Sequence, residues 1–240
     1  MAVLGRVYVF LTCAASLLVA TVALVWLLCE WVAPSPIEGG EAALIAEGAV
    51  RVYAQLALIL CVPWYLLHWW WAQGLTGRDS ANAESLLRQA YLYGVLGASL
   101  AACVTGGIAL VQTAVGDSYG RLTAMRELVA LPVYVALWVF HAWIAAHSPE
   151  TPGRTILRRL YCLAAGAAGL CLMVLGAAGL LQWLFSQADH VAGARGLGQL
   201  AGGIAVAVLM RATQAEPALE AARGLAEAAA GWARALRQRT

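Results

Sequence analysis

Lysine is absent from this chain; all fifteen of its basic side chains are arginine. Charge of either sign is scarce, at 12% of 240 residues, about half of the roughly 25% that clothes a soluble domain. A surface so poor in charge faces something other than water, and the 62% hydrophobic content leaves room for several membrane spans. The net charge of +2 is too small to attract a nucleic acid, and the arginines gather at the ends of apolar runs instead of along one face. Cysteine is sparse and scattered: Cys13, Cys29, Cys61, Cys103, Cys162 and Cys171 include no C-x-x-C pair. That spacing argues against a disulfide framework or a zinc site, and thiols within apolar runs behave as small hydrophobes. The signatures G-x-x-x-x-G-K-[ST], H-E-x-x-H and G-x-S-x-G are all missing, so the reading leans away from an enzyme.

What the chain has in abundance is apolar length. About 20 helical residues cross a hydrocarbon layer of ~30 Å. Runs of that size occupy Val7–Leu28, Val52–Trp71, Ala90–Val115, Leu128–Ala146 and Leu160–Phe185. A sixth and shorter run covers about Ala194 to Met210, with Arg195 placed to snorkel at its start. The first run is too long for the apolar core of a signal peptide, so it reads as a retained span. Six spans put Arg6, Arg78, Arg88, Arg154, Arg158, Arg159, Arg211, Arg223, Arg234, Arg237 and Arg239 on one side. Only Arg51, Arg121, Arg126 and Arg195 fall on the other. By the positive-inside rule both termini are expected in the cytoplasm, whereas five spans would export the arginine-bearing tail.

The spans also repeat. Odd ones open on a basic residue followed by tyrosine: Gly5-Arg6-Val7-Tyr8, Arg88-Gln89-Ala90-Tyr91 and Arg158-Arg159-Leu160-Tyr161. Even ones open at Arg51, Arg126 and Arg195, and spans two and four close on a histidine among aromatics. The expected fold is therefore all-α: six transmembrane helices in residues 1–213, arranged as three parallel helical hairpins. Residues 214–240 are expected to form a cytoplasmic tail. Within it Pro217–Arg239 reads as an amphipathic helix on the inner surface, with Leu225, Ala229, Trp232 and Leu236 on its apolar stripe. The segment Val32–Val50, acidic and broken by Pro34, Pro36 and Gly39-Gly40, reads as the one long loop. Small residues at Gly94, Ala98, Ala102 and Gly106, at Ala165, Gly169 and Ala177, and at Gly198 and Gly202 are expected to pack helix on helix. Such faces also suit other membrane subunits or a second copy of the chain.

Span two ends in Pro63-Trp-Tyr-Leu-Leu-His-Trp-Trp-Trp-Ala-Gln73, with four tryptophans in eleven residues. Span four echoes it in Leu137-Trp138-Val139-Phe140-His141-Ala142-Trp143. His68 and His141 lie at matching depth, and Met210 falls where a third copy would carry its histidine. Two readings fit. Aromatic residues gather at membrane surfaces without needing a ligand, which makes these interfacial histidines in an aromatic belt. Alternatively, His68 and His141, with Met210 as a speculative third, would be axial ligands of haem b or a related pigment in an electron-transfer protein. The transmembrane cores contain no Asp, Glu, Lys or Arg, which disfavours ion-coupled transport. A passive transporter or channel lined by Thr105, Gln112 and Gln199 is the weaker alternative.

The Arg-x-x-Tyr openings and the passage Trp64–Gln73 resemble domain of unknown function 5671, a bacterial family of small multi-spanning membrane proteins. The resemblance is expected to cover spans one to five and, with a degraded sixth, most of residues 1–213. The second copy departs from the pattern, reading His-Ala-Trp-Ile-Ala-Ala where the first reads His-Trp-Trp-Trp-Ala-Gln. What the resemblance implies is the repeat architecture and a bacterial inner-membrane setting; it brings no activity. The functional expectation is a non-enzymatic structural or accessory subunit, or a small-ligand binder, with the lipid bilayer as its first partner.

Overall fold

The computed structural model describes residues 3–32, 40–78, 85–115, 121–149, 151–186 and 190–214. The expected surface helix at Pro217–Arg239 lies outside the described residues. Six α-helices follow one another: α1 Val3–Val32, α2 Gly40–Arg78, α3 Leu86–Val115, α4 Arg121–Ala146, α5 Pro152–Ser186 and α6 His190–Gln214. All six are long and apolar enough to cross a membrane, including the short sixth, whose apolar length is Val191–Arg211. Pro63 and Pro132 lie inside α2 and α4, and both helices continue past them.

The loop expected over Val32–Val50 is shorter than that. Helix α2 already begins at Gly40. The stretch Glu41-Ala-Ala-Leu-Ile-Ala-Glu47 consists almost wholly of good helix formers, and its propensity outweighs the absence of a long apolar run. At 39 residues, α2 is about 58 Å long.

Each helix pairs most extensively with its hairpin partner: α5 with α6, α3 with α4, and α1 with α2. The hairpins then meet through their odd helices, α1 against α3 and α4, and α3 against α5 and α6. Helix α3 is thus the centre of the bundle. Two cores follow from this layout. One lies where α1, α2, α3 and α4 meet, around Val9, Cys13, Ala72, Leu92, Leu96 and Ile144. The other joins α3, α5 and α6 around Leu100, Ala165, Val206 and Met210.

The expected small-residue packing is realised in α5 and α6 and largely not in α3. A Cβ on Gly176 would sit 2.6 Å from the Leu200 nitrogen, and one on Gly196 would sit 2.8 Å from the Leu180 nitrogen. Backbone therefore touches backbone along this seam, as small residues permit in a membrane. Gly198 and Gly202 face the other way, onto Ile108 of α3. In α3 itself Gly106 is buried, but Gly94 and Ala98 are exposed and nothing lies within 4 Å of a Cβ at Gly94. The bulky Tyr91, Leu92, Leu96 and Leu100 fill the core, which turns the opposite, small-residue face of α3 outward. Ala165 and Gly169 are buried as expected; Ala177 is exposed.

Candidate functional site

The aromatic passages of α2 and α4 and the tyrosine openings of α1, α3 and α5 come together at the bundle end from which α1 starts. Helix geometry explains the histidine orientation. In each case the ring folds back over the preceding turn, so that Nδ1 reaches the carbonyl oxygen four residues earlier: Trp64 for His68, at 2.9 Å, and Leu137 for His141, at 2.8 Å. A carbonyl only accepts, so Nδ1 carries the proton and the neutral ring presents its Nε2 lone pair forward. Directly ahead of each Nε2 is the tyrosine that opens the same hairpin. The Tyr8 hydroxyl lies 3.4 Å from His68 Nε2, and the Tyr91 hydroxyl lies 3.4 Å from His141 Nε2. Both tyrosines donate through long hydrogen bonds, and both ring pairs meet edge to face, with centroids 5.6 and 5.9 Å apart.

The two pairs are alike in chemistry and unlike in setting. His141 is wholly buried, walled by Trp69, Phe140 and Tyr91. His68 is also buried, against Trp64, Trp71 and Tyr8, but Tyr8 itself is 51% exposed while Tyr91 is only 7% exposed. The histidines do not face one another: among the described ring contacts they share no neighbour. Met210 lies in the second core, against which Tyr161 of the same hairpin also packs, apart from both histidines.

A further set of contacts links one hairpin to the next. Three residues before His141, Trp138 donates its Nε1–H to the Tyr161 hydroxyl at 3.1 Å. Three residues before His68, Tyr65 brings its hydroxyl near that of Tyr91, without a hydrogen bond of ordinary geometry. Nearby, Arg88 donates to Ser148 Oγ at 2.8 Å and Arg154 donates to the Ser148 carbonyl, tying the start of α3 to the α4–α5 connection. At the opposite end Arg126 of α4 forms an ion pair with the buried Glu30 of α1.

As ligands, the three candidates present a specific geometry. Axial coordination would use His68 or His141 through Nε2, the atom that accepts from tyrosine, so each tyrosine would have to withdraw first. Among the described residues no group of three or more His, Cys, Asp or Glu could hold a metal ion. A groove of about 360 Å³ opens between the starts of α1 and α3, beside Arg6, Val7, Leu86 and Ala90, and none of the three candidates lines it. The polar residues named for the channel alternative differ in setting. Thr105 is exposed and bonds its own helix, whereas Gln112 is buried against Gly198 of α6.

Sequence reasoning noted the tyrosine openings and the histidine endings separately and missed that they meet. Their common three-part repeat was the available signal. Tyr8 and Tyr91 open spans whose partners close on histidine; Tyr161 opens the one that closes on methionine.

Six apolar helices in three like-oriented hairpins, the first two each clasped at one end by a tyrosine–histidine pair, define a multi-pass helical membrane protein. The chain belongs to the family of domain of unknown function 5671, whose sequence model matches residues 6–127. That match takes in α1 to α3 and the start of α4, a shorter reach than spans one to five, and it includes His68 but not His141. No curated protein and no solved structure matches the chain.

Proposed function

We propose that this protein is a non-enzymatic structural or accessory subunit of a bacterial inner membrane, with both termini in the cytoplasm. The observation that carries this reading is the engagement of both histidines within their own hairpins. Nδ1 of each is held by a backbone carbonyl and Nε2 by a tyrosine, so the imidazoles act as clasps between paired helices. A buried polar side chain with both ends satisfied contributes to holding one packing arrangement and offers no lone pair to a ligand. Arginine asymmetry supports the orientation, with eleven of fifteen on the side of the termini.

Absorption of the detergent-purified protein from a haem-replete host tests the clasp reading against the haem b alternative. A colourless preparation is expected. A Soret band that disappears in His68→Ala and His141→Ala would replace clasps with axial ligands. Reporter fusions after Pro36 and after Thr240 test the orientation; activity is expected outside for the first and inside for the second.

A further inference from the structure

The three hairpins meet by one rule, used twice. The odd helix of a hairpin packs on both helices of the next: α1 on α3 and α4, then α3 on α5 and α6. At the aromatic end a side chain of the even helix also reaches the odd helix of the next hairpin. Trp69 of α2 reaches Tyr91 of α3, and Trp138 of α4 reaches Tyr161 of α5. Each hairpin therefore has a front face, which receives the next hairpin, and a rear face, which sits on the previous one. A repeat of this kind that does not close on itself leaves one front face and one rear face uncovered.

Both uncovered faces are visible. At the rear, Tyr8 is half exposed because no earlier hairpin covers it as Trp69 covers Tyr91. From residue 48 to residue 67 of α2 no residue is buried, whereas α6 buries Ala194, Val206 and Met210 along its length. Leu56, Ile59, Leu60 and Leu67 are all exposed there. At the front, α5 exposes Leu163, Leu170 and Val174, with Ala164, Ala167, Ala168 and Cys171 between them.

We infer that a second copy of this chain, inserted in the same orientation, continues the array: α5 of one chain packs on α1 and α2 of the next. Helix directions agree with this. The internal contacts α1–α4 and α3–α6 are antiparallel, and α5 is antiparallel to α2 of a like-oriented neighbour. Because the two faces differ, the contact is head to tail and closes into a ring or extends as a row. The inference rests on the structural reading above and names its partner. Its test does not depend on pigment, so the two can fail separately.

The experiment uses the full chain in native membranes. Cys171 is kept in one tagged chain whose other five cysteines are replaced by alanine. A differently tagged chain lacks all six native cysteines and carries Leu56→Cys, Ile59→Cys, Leu60→Cys or Leu67→Cys. On co-expression and oxidation, mixed-tag dimers are expected from the α2 positions on one helix face, with no dimer from either chain alone. Cross-links joining a position only to itself in another copy, or no cross-link from any α2 position, would overturn the head-to-tail contact. Native mass spectrometry of the unmodified protein checks the same point without substitutions. An oligomer is expected, and a chain released only as a monomer with bound lipid would mean that lipid covers both faces.

Discussion

The third hairpin and the first two solve the same problem with different chemistry. Without a hydrophobic force between helices in lipid, a hairpin must be held by close packing or by hydrogen bonds. Helices α5 and α6 use packing: Gly176, Gly196 and Gly203 bring backbones into contact, and Met210 packs into the core they share with α3. Helices α1–α2 and α3–α4 keep large side chains and join through Tyr8–His68 and Tyr91–His141. A glycine seam tolerates no added atom, whereas a clasp between large side chains can yield at the cost of one hydrogen bond.

The largest effect is therefore expected at the seam. Gly196→Leu places its side chain against the backbone of Gly176 and Leu180, which should cost about 3 kcal/mol or more and separate α5 from α6. Reversible unfolding in mixed micelles, with proteolysis of the α5–α6 connection as a second readout, measures this. His141→Ala comes next, at about 2–4 kcal/mol, because it opens a cavity and strands the buried Tyr91 hydroxyl. His68→Ala should cost only about 1–2 kcal/mol, since half-exposed Tyr8 can turn to water or headgroups. Equal losses at the two histidines would erase the distinction between an inner and an outer clasp.

A smaller effect, of opposite sign, should follow Met210→His. The Tyr161 hydroxyl accepts from Trp138 and keeps its own proton to donate, so a histidine here should add about 0.6 kcal/mol of interhelical hydrogen bonding. Loss of stability instead would mean that the thioether packing of the second core outweighs the bond. The smallest change is expected for Gly94→Ala, within about 0.5 kcal/mol and favouring the helix, because nothing lies near the added methyl.

How much of this was legible beforehand depended on which physical signal each feature leaves in a sequence. The six spans were readable because the bilayer imposes a length, and even Val191–Arg211 is long enough once Arg195 is allowed at its rim. The parallel hairpins were readable from the recurrent tyrosine and arginine openings. Which face of α3 turns inward was not. A stripe of small residues and a stripe of leucines with Tyr91 both suit a helix interface, and only the neighbours decide between them. In α5 and α6 both faces in question are small, so the seam was easier to foresee. The helical start of α2 was hidden by Gly39-Gly40 and by acidic residues that suggested a loop. The clasps were hidden for a different reason: Tyr8 and His68 lie 60 residues apart, and only the hairpin brings them together.

The third hairpin also carries an unequal pair of helices, 35 residues in α5 against 25 in α6. The shorter helix, at roughly 38 Å, already exceeds a bilayer core of ~30 Å. Since the glycine seam holds the two side by side, some 10 residues of α5, roughly 15 Å of helix, have no counterpart in α6. The far end of that surplus begins at Pro152 and bears Arg154, Arg158 and Arg159. Helix α5 thus extends past the end of α6, presenting the exposed Arg158 and Arg159 while Arg154 folds back onto the Ser148 carbonyl.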